Sequence, residues 1–236
     1  MKTSTQAAER ESMLNTKTSV SQIRHRLQLC SHLFDTTESF DLPARMIAGV
    51  VKRCPKNDSF EGVYEKTVLI NTLYSTVVYD TLNMAKHIVS RNIDLKLMSA
   101  DLSVIGDMRA GHGIGSNRGL NKEIDFYSFS TKYAAFHRPD IFPMFDDYVM
   151  RLLSRFNKSH QFTGKFSQRE LRDYVHFKKT VDDFSGFVRM ESLGYEKFDH
   201  ALWLFGKYEF NPFTLDKTIK ERIEQSRQEM SGEQAC

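Results

Sequence analysis

Residues 129–153, with the sequence FSTKYAAFHRPDIFPMFDDYVMRLL, decide the fold that the chain is predicted to adopt. Helical patterning runs from about residue 124 and ends at His137. Pro139 and Pro143 follow, and no continuous helix can pass through them, because a proline lacks the N–H donor and clashes with the preceding turn. Helical patterning resumes at about residues 145–157. The stretch therefore predicts a helix, a rigid turn bounded by prolines, and a second helix.

Helix start signals recur on both sides of this stretch. The clearest are capping boxes at Ser19 and Ser167, each followed three residues later by Gln or Glu. Further helices are predicted at about residues 19–34, from 41, from 58 to 87 as one helix or two, from 167 to 177 or 181, at 195–207 and at 214–227. With no internal repeat and no convincing run of strands, the sequence predicts an all-α fold of about nine helices.

The composition excludes several classes of protein. The chain has 236 residues, of which 40% are hydrophobic and 27% charged, and its mean hydropathy is −0.46. No window approaches the roughly 18 apolar residues that a membrane span needs, so a membrane-embedded protein is excluded. Five prolines and twelve glycines are few for a many-turned β-sandwich or barrel. The composition therefore favours helices.

The cysteines and the two ends of the chain limit the chemistry and the domain organisation that the sequence predicts. Cys30, Cys54 and Cys236 have neither a CxxC pair nor a metal-ligand spacing, so we expect no disulfide framework, no metal and no cofactor. The polar N-terminus lacks the apolar core of a secretory signal, which favours the cytoplasm. Polar, unpatterned ends predict a disordered tail at 1–18 and a flexible tail at 226–236 around one helical domain at 19–225.

Two adjacent carboxylates begin the second helix of the opening stretch. Asp146 and Asp147 fall in its first turn, where a helix N-terminus stabilises negative charge by roughly 0.3–1 kcal/mol. The ordinary interpretation of such an Asp is a helix cap. A catalytic interpretation needs a more specific pattern around it.

That pattern is present in residues 145–151, FDDYVMR, which resemble the catalytic portion of the helix-hairpin-helix superfamily of DNA glycosylases. In the endonuclease III branch a short turn precedes V-D-T-H-V-x-R, and its Asp corresponds to Asp146. The alkyladenine-glycosylase branch has an R-P-D-x-F-like turn, which residues 138–142 resemble, and in that alignment Asp147 is the functional carboxylate. Asp146 is the preferred assignment, and both remain open.

The resemblance implies a two-lobed helical fold and a double-stranded DNA partner. It also implies an activity, in which a damaged or modified base is flipped out of the duplex and its N-glycosidic bond is cleaved with the help of the Asp. The flipped base would stack on aromatic side chains. The candidates for this base pocket are Phe126, Tyr127, Tyr148 and Trp203.

The phosphate-binding hairpin of that superfamily, L-P-G-V-G-x-K-T-A, has no match at the expected distance before Asp146. The nearest glycine-rich string, at residues 111–115, requires an insertion of about eleven residues. Its glycines allow close approach of backbone N–H groups to phosphate, and basic side chains surround it. The predicted DNA-binding residues are Arg109, Gly111, Gly113, Gly115, Arg118, Lys122 and Arg151. The divergent hairpin favours an unusual substrate, such as a modified base of foreign phage DNA, and DNA repair and antiviral defence both remain open as roles.

The nucleophile is the other point of departure. Superfamily members that also have lyase activity carry a lysine about 18 or 19 residues before the Asp, where this chain has Ser128 and Tyr127. Lys132 and Lys122 are the nearest lysines, and neither fits the register without an insertion or deletion. The sequence therefore predicts a monofunctional hydrolase in which water attacks, with Lys132 retained as a catalytic candidate.

Two alternative functions remain. Arg26 and His32 have the spacing of the Arg–His pair in HEPN-type ribonucleases, although such a spacing is weak evidence in a helical chain with eight histidines. A non-catalytic helical nucleic-acid-binding module that kept a glycosylase-like scaffold would also explain the missing hairpin consensus.

Overall fold

The computed structural model describes residues 18–111, 114 and 124–232. In these ranges the chain has eleven α-helices and three single-turn 3₁₀ helices, and the one β-type pairing is an isolated bridge between Ala110 and Asp125. The helices are α1 (Val20–Thr36), α2 (Glu38–Arg53), α3 (Phe60–Tyr74), α4 (Thr81–Ser90), α5 (Asp94–Met98), α6 (Val104–Arg109), α7 (Tyr127–His137), α8 (Asp147–His160), α9 (Tyr174–Val188), α10 (Tyr195–Phe210) and α11 (Lys217–Gly232). The predicted all-α class is confirmed.

Helix α1 provides one wall of the core. Ser19 caps it through the predicted box, because its side chain accepts the Gln22 N–H while the Gln22 side chain accepts the Ser19 N–H. Ile23, Leu27 and Cys30 recur at helical spacing and are fully buried. Helix α10 packs along α1 and also contacts α8, so α10 lies between the first helix and the one that begins at Asp147.

Helix α7 crosses the interior, and nine of its eleven residues are buried. Its polar side chains are accommodated locally: Ser130 Oγ donates to the Phe126 carbonyl, and Thr131 Oγ1 donates to the Ser128 carbonyl. The helix packs against α2, α3 and α6. A lysine on this helix, Lys132, is therefore carried into the interior of the protein.

The turn between α7 and α8 is held by hydrogen bonds from several elements. Arg138 pairs with Asp140 and donates to two carbonyls at the end of α5. At the other end of the turn, the Met144 N–H donates to Asp199 at 2.6 Å and the Phe145 N–H donates to Thr131 at 3.1 Å. These contacts support the predicted rigid turn and fix where α8 begins.

Three predicted boundaries need correction. Helix α2 begins at Glu38, before Asp41, so Pro43 lies inside it. Of the two alternatives predicted for residues 58–87, the structure has two helices, because Asn71 bonds both the N–H and the carbonyl of Val78 and so stabilises a turn after α3.

The capping contacts at Ser167 open only a 3₁₀ turn at Glu170–Arg172, and the longer helix starts at Tyr174, capped by Asp173. Helix α11 continues to Gly232, past the predicted domain end at 225, whereas residues 1–17 and 233–236 lie outside the described residues. In the described part of the chain, no helix has the length and apolar character needed to cross a membrane.

Candidate functional site

A cavity of about 730 Å³ opens where α8 begins. Its walls come from α2, the end of α3, α7, the start of α8, and α10. The volume falls within the roughly 300–1,000 Å³ typical of small-molecule sites. Asp146, Asp147 and Lys132 line it, as do Asp199 and His200. We call the first three the Asp146 end and the last two the inner end.

Asp146 is both a helix cap and a lining residue. Its Oδ1 accepts the Tyr148 N–H at 2.8 Å, and its Oδ2 lies 3.8 Å from the Lys132 ammonium nitrogen. The side chain is 25% exposed, so it remains accessible from the cavity. Capping occupies one oxygen, and the other lies toward Lys132. Asp147 is exposed in the first turn of α8 and lies further from the interior.

Lys132 is the buried partner of this carboxylate. Its side chain is 4% exposed, and Nζ donates to Ser128 Oγ at 2.9 Å and to the Phe145 carbonyl at 2.8 Å. Burial lowers the pKa of Lys132, while the nearby Asp146 carboxylate raises it. A buried amine held beside a carboxylate in a cavity can act as a charge partner or, when deprotonated, as a nucleophile.

Aromatic side chains surround the inner end. The His200 ring stacks on Phe34 with centroids 3.8 Å apart, and Trp203 meets Phe40 edge-on at 5.5 Å. Lys207 lies over the Trp203 ring, with its nitrogen 4.7 Å from the centroid. These flat apolar surfaces suit a planar ligand.

Asp199 and His200 are functional candidates that the sequence analysis missed. A charged pair in a helix ordinarily indicates a solvated face, yet both side chains are buried. The signal available in the sequence was the four-residue spacing of Asp199, Trp203 and Lys207, which places them along one face of a helix.

Gly206 explains how α10 comes so close to α8 at the Asp146 end of the cavity. A Cβ at this position would lie 2.9 Å from the Tyr148 backbone oxygen, so only glycine fits without displacement of one helix. The contact brings the face of α10 that carries Asp199 toward the helix that Asp146 caps.

The predicted base-pocket residues separate into two groups. Tyr148 and Trp203 line the cavity. Phe126 and Tyr127 instead line a neighbouring cavity of about 350 Å³ and are almost completely buried. Tyr127 donates its hydroxyl to the Leu171 carbonyl, and Asp146 and Asp147 also line this second cavity.

The predicted DNA-binding residues are also divided. Arg109 forms a bidentate pair with Asp125, at 2.6 and 2.7 Å, and donates to the Arg172 carbonyl, so its donors are engaged within the protein. A Cβ at Gly111 would lie 2.3 Å from the Phe126 ring, so the close packing against this ring is a structural reason for glycine at this position. Arg151 is exposed and lines the cavity. Gly113, Gly115, Arg118 and Lys122 lie outside the described residues.

The structure places Arg26 and His32 on different faces of α1. Arg26 is buried against Phe205, whereas His32 is exposed. The two side chains therefore share no cleft. Among the described residues, no group of three or more His, Cys, Asp or Glu side chains is arranged to hold a metal ion.

Comparison with known proteins identifies relatives without a stated activity. The family HI_0787_N, described as an N-terminal domain, matches residues 22–141. A curated relative from Haemophilus influenzae, described as an uncharacterized protein, is 35% identical over 156 residues, which cover 64% of this chain and 70% of the relative. No solved structure matches. The matched family range contains Lys132 and ends before Asp146, Asp199 and His200.

Proposed function

The chain belongs to the HI_0787_N family, and we propose that it is a DNA glycosylase that flips a damaged or modified base out of double-stranded DNA and cleaves its N-glycosidic bond. The observation that carries the proposal is the position of the Asp146 carboxylate at the start of α8. It lines a cavity there and lies 3.8 Å from the ammonium nitrogen of the buried Lys132. The surrounding FDDYVMR segment adds the resemblance to the helix-hairpin-helix glycosylases.

The chemistry assigns a role to each group. As the base leaves, positive charge develops on the sugar, and a fixed carboxylate stabilises that charge most effectively where water is excluded. Asp146 suits this role because one of its oxygens is fixed by the Tyr148 N–H and its side chain lines the cavity. In the monofunctional reaction, Asp146 also orients the water that attacks the sugar. Asp147, which is more exposed, is the alternative carboxylate.

The geometry around Lys132 favours a second candidate, a glycosylase that also acts as a lyase. Lys132 lies fourteen positions before Asp146, outside the family register, yet its nitrogen reaches the same carboxylate. Burial lowers its pKa and so increases the fraction of neutral amine. A neutral amine attacks the sugar C1′ as the base departs, and loss of a proton and opening of the ring then give an imine.

The remaining elements of the proposal concern fold and setting. The two-lobed arrangement would place the cavity between the lobes, with DNA lying across its mouth beside the exposed Arg151. The protein would act in the cytoplasm on chromosomal or foreign DNA, and it requires no cofactor for either reaction. A non-catalytic DNA-binding module remains the competing function, and it predicts that the wild type binds DNA without releasing a base.

The test is base release from duplex DNA by Asp146→Asn. Genomic DNA and oligonucleotides with single modified bases are incubated with protein, and released bases and abasic sites are measured by mass spectrometry. We expect a loss of about 10²- to 10⁴-fold with DNA binding retained, because Asn still caps α8.

Asp140→Asn is the matched control, since Asp140 is 61% exposed in the same turn and does not line the cavity. Equal activity of Asp146→Asn and the wild type would refute the assignment. Borohydride trapping of a protein–DNA adduct that Lys132→Met abolishes would decide for the lyase, and its absence for attack by water.

A further inference from the structure

The inner end of the cavity contains polar atoms that the protein itself leaves unsatisfied. Among the described residues, Asp199 Oδ1, both ring nitrogens of His200 and the Tyr74 hydroxyl have no hydrogen-bond partner. Asp199 is 3% exposed and His200 is 7% exposed. All three side chains line the same cavity as Asp146.

Such a concentration of unpaired buried groups is costly. Each unsatisfied buried donor or acceptor destabilises a folded protein, and native proteins satisfy more than nine in ten of them. Asp199 illustrates the contrast within one carboxyl group, because Oδ2 accepts the Met144 N–H while Oδ1 has no partner. A ligand that fills the inner end would supply the missing partners.

The set offers both kinds of hydrogen-bonding group. Burial lowers the pKa of His200 to about 4, so its ring is neutral near pH 7 and has one donor and one acceptor. Burial raises the pKa of the Tyr74 hydroxyl, which keeps its proton available to donate. Burial also raises the pKa of Asp199. In either protonation state of Asp199, the three side chains together supply an acceptor and at least two donors.

The walls and the charges restrict the ligand further. The stacked Phe34 and His200 rings and the edge-on Trp203 leave flat surfaces beside these polar atoms. Lys132 and Lys207 both reach the cavity, and Lys207 already covers the face of Trp203. Because Lys207 occupies the face of Trp203 on which a cationic base would be stabilised, an uncharged planar base suits the remaining surfaces better.

We infer that Asp199, His200 and Tyr74 read the edge of the flipped base and select an uncharged base with an N–H next to a carbonyl. This inference rests on the proposed glycosylase function. The acceptor of the set takes the N–H, and its two donors match the two lone pairs of a carbonyl oxygen. Uracil, hypoxanthine and 8-oxoguanine have such an edge. Ethenoadenine is uncharged but has no N–H on that edge, and 3-methyladenine is cationic.

The experiment measures single-turnover release of these five bases from otherwise identical duplexes. For the wild type, release from at least one of the three N–H/carbonyl bases should exceed release of ethenoadenine and 3-methyladenine. His200→Phe keeps the stacking on Phe34 and removes both nitrogens, so release of that preferred base should fall about ten- to a hundredfold. Asp199→Asn, which still accepts from Met144, should also lower it. Affinity for unmodified duplex should not change.

His32→Phe is the matched control, because it makes the same replacement at an exposed position of α1. Wild-type rates in both His200→Phe and Asp199→Asn, or preferred release of 3-methyladenine, would overturn the inference while leaving the glycosylase function intact. Melting temperature and circular dichroism identify a variant that fails to fold.

A second measurement does not depend on catalysis. Free uracil, hypoxanthine and 8-oxoguanine at millimolar concentration should raise the melting temperature of the wild type and not that of His200→Phe. If no base is released but free bases bind in this way, the glycosylase proposal fails and the assignment of the inner end as a base-binding site stands. If the wild type neither releases nor binds any of the three bases, the assignment of the inner end as a base-binding site is refuted.

Discussion

Two buried lysines, Lys66 on α3 and Lys132 on α7, occupy similar environments and have different consequences. Both side chains are almost fully buried, and burial lowers the pKa of each, to about 8 for Lys66. Lys66 donates to the Cys54 carbonyl at 3.0 Å, to the Lys56 carbonyl at 2.9 Å and to Asn57 Oδ1 at 2.7 Å. Its three protons thus each have a protein acceptor.

The Lys132 ammonium group has a different set of hydrogen-bond partners. Two of its protons go to Ser128 and Phe145, and the third side faces Asp146 across 3.8 Å at the wall of the cavity. A cavity of about 450 Å³ also lies near Lys66, but Lys66 does not line it. Burial and a lowered pKa therefore do not by themselves identify a functional lysine. Incomplete hydrogen bonding toward an accessible cavity is the more informative observation.

The largest expected effect is the loss of stability in Lys66→Met. The substitution leaves the Cys54 and Lys56 carbonyls without this donor and leaves Asn57 Oδ1 with only the Tyr133 hydroxyl, so the free energy of unfolding should fall by about 3 kcal/mol. Lys132→Met should cost about 1 kcal/mol, because fewer acceptors are orphaned and a buried charge is removed. Urea denaturation followed by circular dichroism measures both. Lys217→Met, at a position that is 88% exposed, is the control. The reverse order of the two losses would contradict the comparison.

The next largest effect is the pH dependence of stability that two buried histidines, His137 and His200, should cause. His137 stacks on Tyr133 beside Lys66, and burial lowers its pKa to about 3, while His200 in the functional cavity has a pKa of about 4. Below pH 6.5 the unfolded chain binds protons that the folded chain does not. Stability should therefore fall as the pH drops from 6.5 toward 4, by on the order of 1 kcal/mol per pH unit for each histidine.

His137→Phe and His200→Phe should each reduce this slope by about one proton, as measured by urea unfolding between pH 4 and 7. The exposed His32→Phe should leave it unchanged. A bound base should change the slope in the wild type and in His137→Phe but not in His200→Phe, because His200 lines the functional cavity and His137 does not. Identical slopes in the wild type and both variants would show that neither ring is held neutral by burial.

The smallest expected effect is a difference in chemical reactivity between the two amines. Reductive methylation with formaldehyde and a borane at pH 8 should modify Lys132 faster than Lys66. Lys132 is reached through the cavity, whereas Lys66 is reached only after local unfolding releases its three acceptors. Peptide mass spectrometry after short labelling times gives both rates. Faster labelling of Lys66 would show that the loop it holds opens more readily than the cavity admits reagent.

The sequence predicts those parts of the site that local rules determine. Pro139 and Pro143 force a break between α7 and α8, and the break places Asp146 at a helix start, where an Asp is favoured. Spacing alone could not bring Lys132 to Asp146, because that proximity depends on the Phe145 carbonyl, which belongs to the turn and not to either helix.

Other parts depend on contacts between distant segments and could not be predicted. Asp199 is fixed by the Met144 N–H, 55 positions earlier in the chain, so its burial has no local signal. Gly111, which the sequence analysis interpreted only through phosphate binding, also packs too closely against the Phe126 ring to accept a Cβ. In both cases the tertiary contact, rather than the residue type, determines the role.

The absence of a side chain at Gly206 has a consequence for how this site could change. Because the Tyr148 backbone lies within 2.9 Å of where a Cβ would be, the smallest possible substitution, Gly206→Ala, must move α8 and α10 apart. Asp146 caps one of these helices and Asp199 lies on the other. Gly206 therefore sets the closest approach of the two helices, and each added carbon would widen the gap between Asp146, proposed to act in bond cleavage, and Asp199, proposed to bind the base.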